Sequence, residues 1–235
     1  MSSPESRIPN LAVALDTPDR ETFSRWCRFF GPRAEVLKVG LEAFVRWGPE
    51  GVAEAGAHGA GVFLDLKLHD IPNTVAGAVR SARQLGVRYL TVHAGGGPAM
   101  LEAAAQAAGD GVRILAVTLL THLDAGQLSA LGRPAPAADQ VARLAAVAEA
   151  AGCHGVVCSA LEVAGLRERL SPPFLLVTPG IRLPADAADD QRRVATPREA
   201  LDAGADLLVV GRPLTRAADP ESRLAAFREA MAATP

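Results

Sequence analysis

The sequence predicts an α/β protein of the (β/α)8 TIM-barrel class, a single domain over residues 1–235 with the barrel proper at about 11–230. Three observations carry this expectation. Short apolar runs of strand character recur at intervals of roughly 20 to 45 residues, separated by amphipathic segments rich in Ala, Leu and Arg. Most runs are apolar almost throughout rather than alternating, the pattern of parallel strands covered on both faces. A length of 235 residues also suits one such barrel. An open doubly wound sheet with extra units gives a similar one-dimensional pattern, but eight strand–helix repeats favour closure.

The runs, in order, are Leu11 to Leu15, Val36 to Val39, Val62 to Leu68 and Tyr89 to His93, then Ile114 to Leu120, Gly155 to Ser159, Leu175 to Pro179 and Asp206 to Val210. The stretches between them look helical. Asp139 to Ala151, for example, sets Val141, Leu144, Ala145 and Ala148 on one stripe. Gly61, Gly86, Gly111, Gly152 and Gly204 each stand before a strand, as helix C-terminal punctuation does. Ala125 to Asp139, with its Pro and Gly, reads as a loop and turn after the fifth strand, and no interdomain linker is visible.

Composition narrows the function. A formal charge of -2 shows no basic excess that would suit a nucleic-acid partner. No apolar run approaches the roughly 20 residues needed to span a bilayer, and the stretch holding Glu5, Arg7 and Pro9 does not resemble a signal peptide. Cys27, Cys153 and Cys158 form no even framework and have no neighbouring zinc ligands, so they read as small buried hydrophobes in a reducing compartment. The expectation is a soluble cytoplasmic protein with neither nucleic acid nor membrane as partner.

The sharpest functional signal is lysine. Only two of the 24 Lys and Arg residues are lysines, Lys38 and Lys67, and both lie inside apolar runs. A desolvated lysine shifts its pKa and can hand over a proton, which arginine effectively cannot. Snorkelling strand-end lysines are the bland alternative; the rarity of unpaired buried charge favours a functional role.

Reactive groups of such barrels gather at the C-terminal strand ends. Those ends carry Asp16, Lys38, Asp65 with Lys67, His93, Thr118 to Thr121, Ser159, Pro179-Gly180 and Gly211-Arg212. Asp16 suits a helix cap as well as a ligand contact. Asp65 and Lys67 lie within a strand and, two apart, project to one face while Leu64, Leu66 and Leu68 project to the other. Lys38 on the neighbouring strand reaches the same pocket, giving a buried cation–anion–cation cluster whose members hold one another ionised. A purely structural ion network is the alternative.

Gly211 admits close backbone approach of an anion and Arg212 forks onto phosphate oxygens, in the loop region where these barrels usually hold phosphate. The polar segment from Thr178 to Arg193 has Pro179 and Gly180 near its start and no helical period until about Pro197. It reads as a lid whose Arg182 and Gln191 close over a bound anion, or else as a plain surface loop. No metal-ligand cluster or cofactor fingerprint appears.

With these residues in place, the chain closely resembles the orotidine 5′-phosphate decarboxylase family over roughly residues 11 to 230. The central match is Asp65-Leu66-Lys67-Leu68-His69-Asp70-Ile71-Pro72-Asn73-Thr74. Ala14-Leu15-Asp16, Leu37-Lys38-Val39-Gly40, Thr91-Val92-His93-Ala94, Thr121, Pro179-Gly180-Ile181-Arg182, Gln191 and Gly211-Arg212 follow in the expected order. The resemblance implies decarboxylation of orotidine 5′-monophosphate to UMP and CO2, the last step of de novo pyrimidine nucleotide synthesis, with neither cofactor nor metal. It makes Lys67 the donor of a proton to the C6 carbanion, Asp65 its anionic neighbour, Lys38 a bridge between Asp65 and the ribose, and Asp16 a ligand of ribose hydroxyls. Arg212 with the Gly211 amide then holds the phosphate, and Gln191 links base and phosphate.

Asp70 lies three residues beyond Lys67, past the expected strand end and before the turn at Pro72, which aims it sideways out of its own barrel. In the family the equivalent aspartate completes the partner subunit's site, implying a homodimer in which Asp70 and Thr74 act across the interface. Two rival readings stand beside this one. Magnesium-dependent sugar-phosphate decarboxylases or aldolases share the Asp-x-Lys-x-x-Asp pattern but typically place a metal carboxylate where Lys38 stands. A non-catalytic nucleotide-binding barrel is opposed by the completeness of the charged cluster.

Overall fold

The computed structural model describes residues 10–133, 136–184, 186 and 193–232. Its strands are β1 (Asn10–Ala14), β2 (Val36–Gly40), β3 (Gly61–Leu68), β4 (Tyr89–His93), β5 (Arg113–Val117), β6 (Gly155–Val157), β7 (Leu175–Thr178) and β8 (Leu207–Val210). All neighbouring pairs run parallel, and β1 pairs with both β2 and β8, so the sheet closes into a barrel. Around it lie α1 (Arg20–Phe30), α2 (Leu41–Gly56), α3 (Pro72–Gln84), α4 (Pro98–Ala108), α5 (Ala125–Ala130), α6 (Ala137–Ala150), α7 (Ala160–Arg167), α8 (Pro197–Asp202), α9 (Arg212–Thr215) and α10 (Pro220–Ala232).

Strand alternation sorts each run into two apolar sets. Ala12, Ala14, Val36, Phe63, Tyr89, Leu115, Val177, Leu207 and Val209 fill the barrel, with the Phe63 and Tyr89 rings edge-on at 5.9 Å. Leu11, Val13, Leu37, Val39, Leu64 and Leu90 face outward into a second core shared with the helices. Burial on both faces is why the runs read as continuously apolar. The inward series also places the chemistry. Two residues beyond Ala14, Val36, Phe63, Tyr89, Val177 and Val209 stand Asp16, Lys38, Asp65, Thr91, Pro179 and Gly211.

Several expected boundaries move. β5 and β6 end at Val117 and Val157, and β8 begins at Leu207. Ser159 is therefore the N-cap of α7, in a capping box with Glu162. The stretch from Ala125 is not simply loop: α5 forms there because Asp124 accepts from the Gln127 N–H and the Gln127 side chain accepts from the Asp124 N–H. That capping pair outweighs Gly126. Of the glycines expected to end helices, Gly86, Gly152 and Gly204 take positive φ, while Gly61 opens β3 and Gly109, not Gly111, takes the left-handed position. The three cysteines are buried as expected, and burial pushes the Cys27 and Cys153 thiols up to about 12. Among the described residues no helix is long and apolar enough to cross a membrane.

Candidate active site

At the mouth of β1, β2 and β3 four charges alternate in sign. The Lys38 ammonium lies 3.4 Å from both Asp16 carboxylate oxygens and 3.4 Å from Asp65 Oδ2. Asp65 Oδ1 in turn accepts from Lys67 Nζ at 2.8 Å. Lys38 is only 8% exposed, whereas the Lys67 side chain keeps 31% of its surface. Lys38 is thus buried and Asp65 half-buried with 14% of its side chain exposed, and each of these inner ions has an opposite charge on both sides. Burial disfavours a charged Lys38, yet Asp16 and Asp65 outweigh it and raise the pKa above its ordinary value. Burial likewise works against the Asp65 carboxylate, but Lys38 and Lys67, with hydrogen bonds from Lys67 and Thr91, hold its pKa below the usual range. Deleting one inner member leaves the other with a single opposite charge in place of two.

Lys67 reaches Asp65 by a route that simple alternation does not describe. Leu64 pairs with Leu90 and Leu68 with Val92, so four residue steps on β3 span two on β4. Within this bulge Lys67 adopts φ 51°, the one positive-φ non-glycine among the described residues. A left-handed lysine costs about 1–3 kcal/mol and persists only where its surroundings over-determine it. Here the Thr91 hydroxyl accepts from the Lys67 backbone N–H at 2.9 Å and donates to Asp65 Oδ1 at 2.9 Å. Leu64 is fully buried on the opposite face, and Leu66 and Leu68 pack partly buried against the outer core, as their parity predicted.

Gly40, at the end of β2, makes room for the array. A Cβ there would lie 2.4 Å from Asp16 Oδ1 and 3.1 Å from Lys38 Nζ, so any side chain would displace the pair. On the far side of Lys67, His93 stacks on His69 with ring centroids 5.1 Å apart. Burial, helped by His69, Arg133 and Lys67, lowers the His93 pKa, and its Nδ1 accepts from the Gly95 N–H at 3.1 Å.

Across the mouth, where β7, β8 and β1 end, a cavity of about 370 Å³ is lined by Ala14, Asp16, Glu42, Pro179, Gly180, Arg182, Val209, Gly211, Arg212, Thr215 and Arg216. Asp16 belongs to both the cavity and the ion array. Arg182 is 7% exposed; its backbone N–H donates to the Ala195 carbonyl at 2.9 Å and its Nη1 to the Ile181 carbonyl at 3.0 Å. Guanidinium groups beside exposed backbone amides are suited to a dianionic phosphate.

Three other expected residues lie away from the array and the cavity. Thr121 is half-buried in the loop after β5, where its carbonyl and that of Leu120 accept from Arg193, a residue also paired with the buried Glu162. Asp70 and Thr74 are exposed, and the Asp70 carboxylate accepts from the Ile71 N–H at 2.6 Å rather than from any group of the array. Gln191 lies outside the described residues. Pro179, expected in the lid, lines the cavity wall.

Sequence reasoning did not single out Thr91 or Gly40, nor Glu42, Thr215 and Arg216 in the cavity wall. A signal existed for some. Thr91 is a lone hydroxyl between Leu90 and Val92 on the inward parity, and Thr215 and Arg216 follow Arg212 by three and four residues, one helical turn on.

Comparison with known proteins identifies the family of the chain. A family model described as "Orotidine 5'-phosphate decarboxylase / HUMPS family" matches residues 9–227. An orotidine 5′-phosphate decarboxylase of Thermobifida fusca is 54% identical over 218 residues, covering 92% of this chain and 93% of its own. One from Anaeromyxobacter sp. strain K is 53% identical over 210 residues, covering 89% of this chain and 92% of its own. The crystal structure of orotidine 5′-phosphate decarboxylase from Lactobacillus acidophilus superposes with a TM-score of 0.84 at 37% identity, over 96% of this chain and 100% of that one.

Proposed function

The chain belongs to the orotidine 5′-phosphate decarboxylase / HUMPS family, and from that premise we propose that Lys67 is the acid of a cofactor-independent decarboxylation. The protein is a carboxy-lyase of pyrimidine synthesis that converts orotidine 5′-monophosphate to UMP. The observation that carries the finer reading is the alternating array, in which an ammonium with 31% of its side chain exposed is held 2.8 Å from a half-buried carboxylate.

In this mechanism the bond from pyrimidine C6 to the carboxylate breaks and CO2 leaves. The electron pair stays on C6, and the Lys67 ammonium stabilises it and then delivers one proton to that carbon. Neutral Lys67 regains its proton from solvent. Asp65 beside the departing carboxylate adds repulsion that CO2 release relieves. Lys38 keeps Asp65 ionised and bridges toward the ribose, whose hydroxyls Asp16 accepts. Arg212 and the Gly211 amide, with Arg182 and Pro179 in the wall, hold the phosphate, and this remote binding energy offsets the cost of seating a carboxylate against an aspartate. By the family resemblance, Gln191 links base and phosphate.

The same reading makes the protein a homodimer. Asp70 and Thr74 act in the partner's site, which accounts for an exposed aspartate in the loop directly after the catalytic strand. Ile71 beside it is 67% exposed, as are Leu41 and Val45 at 52% and 80% on the start of the adjacent α2, an apolar surface suited to a second copy. Three buried thiols suit the cytoplasm.

The magnesium-dependent alternative is disfavoured because the Lys38 ammonium already stands between Asp16 and Asp65, where a divalent ion would need an anionic pair. The test is direct: follow loss of orotidine monophosphate absorbance and formation of UMP by the purified protein with a chelator present. Full activity is expected. Turnover that appears only on adding a divalent ion would transfer the chain to the metal-dependent relatives, and UMP binding without CO2 release would make it a binding protein.

A further inference from the structure

Thr91 holds a place in the β3 bulge that the reaction scheme does not use. It is fully buried at 0% exposure, inside β4, and follows Tyr89 in the inward series. In a regular parallel ladder the N–H of Lys67 would find a main-chain carbonyl on the adjoining strand. The bulge removes that partner, and a buried amide without an acceptor is not tolerated. The Thr91 Oγ1 replaces the carbonyl at 2.9 Å. A carbonyl would end the chain of bonds there, but a hydroxyl also has a proton to give, and this one goes to Asp65 Oδ1 at 2.9 Å. The same Oδ1 accepts from Lys67 Nζ at 2.8 Å.

A ring results: the Lys67 backbone N–H donates to Thr91 Oγ1, the Thr91 O–H donates to Asp65 Oδ1, and the Lys67 ammonium donates to that same Oδ1. Both ends of the lysine are tied through one neutral hydroxyl. The ring also sorts the carboxylate oxygens, because Oδ1 takes Thr91 and Lys67 while Oδ2 faces Lys38 at 3.4 Å. Aspartate χ2 is a broad, roughly two-fold torsion, so nothing intrinsic to the side chain fixes that choice. Lys67, with 31% of its side chain accessible, has solvent as an alternative once the ring opens.

We infer that Thr91 is a positioning residue, whose hydroxyl locks the left-handed Lys67 backbone and the Asp65 carboxylate into one unit and so aims the ammonium at the reacting carbon. This rests on Lys67 being the proton donor. Removing the hydroxyl frees the donor without touching the phosphate or ribose groups, so the loss falls on kcat and not on nucleotide binding. The lowered pKa of Asp65 owes part of its shift to this hydrogen bond, which adds to the same effect.

The test compares Thr91→Val, Thr91→Ser and Lys67→Ala by kcat, KM and UMP affinity, together with hydrogen exchange at the Lys67 amide. Thr91→Val is expected to lose about 10²-fold in kcat, the scale of a misplacement near 1 Å, while UMP affinity stays within about threefold. Thr91→Ser, which keeps the hydroxyl, is expected to recover most of that loss, and the Lys67 amide to be protected in the unsubstituted protein and in Thr91→Ser. An unchanged kcat in Thr91→Val, or a Ser variant no better than Val, overturns the inference. If Thr91→Val does not fold, the exchange measurement decides, because a Lys67 amide exchanging like an exposed loop amide in the unsubstituted protein also overturns it. Retained turnover in Lys67→Ala refutes the donor assignment instead, and the inference falls with it.

Discussion

The two sides of the barrel mouth are built on opposite plans. On the β2–β3 side Lys38, Asp65, Lys67 and Thr91 issue from within strands and, with Asp16 just past β1, satisfy one another. On the β7–β8 side the groups come from strand ends and the loops beyond them, with Gly180 and Gly211 beside Arg182, Arg212 and Arg216 around an open cavity. The first side is fixed before substrate arrives, at the cost of a left-handed lysine and a buried ammonium. The second presents positive charge and backbone to a separate ligand. Such a division suits a reaction whose barrier lies in charge development at one carbon, while binding energy is collected some distance away.

The strongest way to break this contrast is to delete the acid. Lys67→Ala is expected to lower kcat by about 10⁴-fold or more, because the variant removes both the stabilising charge and the proton. UMP affinity should change little, since the phosphate side is untouched. Assay of turnover alongside UMP titration measures both. Near-normal turnover in this variant ends the assignment.

In the proposed homodimer, Asp70 extends the fixed side across the subunit boundary. Asp70→Ala alone is expected to lower turnover by about 10²-fold or more, the scale of one misplaced or missing charge at a reacting centre. Mixed with the Lys67→Ala protein it should regain activity, because one of the two sites in each heterodimer then holds both groups. Random reassortment of equal amounts places roughly a quarter of all sites in that state. The comparison is made with heterodimers isolated by dual affinity tags. Heterodimers without recovered activity would return Asp70 to a role within its own chain.

What was legible in one dimension follows the same divide. The strands announced themselves because both faces of each are buried, and alternation from the barrel interior leads directly to Lys38, Asp65 and Gly211. The bulge did not, because Asp65-Leu66-Lys67-Leu68 keeps a regular two-residue alternation in sequence, and the extra residues are visible only against β4. Thr91 looked like an ordinary strand threonine for the same reason. The cavity wall draws Glu42 from α2 and Arg216 from beyond α9, positions joined only by barrel closure. The helix after Asp124 was hidden by a glycine and nearby prolines, although its capping pair was present in the sequence. Asp70 is legible as a residue leaving its strand, but its role across an interface came from the family resemblance.

The smallest expected effect belongs to the binding side, and it sharpens the contrast most. Arg212→Ala removes a fork of donors next to the Gly211 amide, so kcat/KM is expected to fall by roughly 10²-fold, with KM carrying the larger part. Arg212→Lys should recover only a portion, since a point charge keeps the attraction but loses the planar two-bond geometry. Steady-state kinetics at saturating and subsaturating substrate separate the two parameters. Because Arg212 lines the cavity and Lys67 does not, its loss should leave the pH dependence of kcat as it is in the unsubstituted enzyme. A variant that instead lost kcat as deeply as Lys67→Ala at unchanged KM would mean that phosphate contact and proton delivery form one mechanical unit, and the two sides of the mouth would no longer be separable.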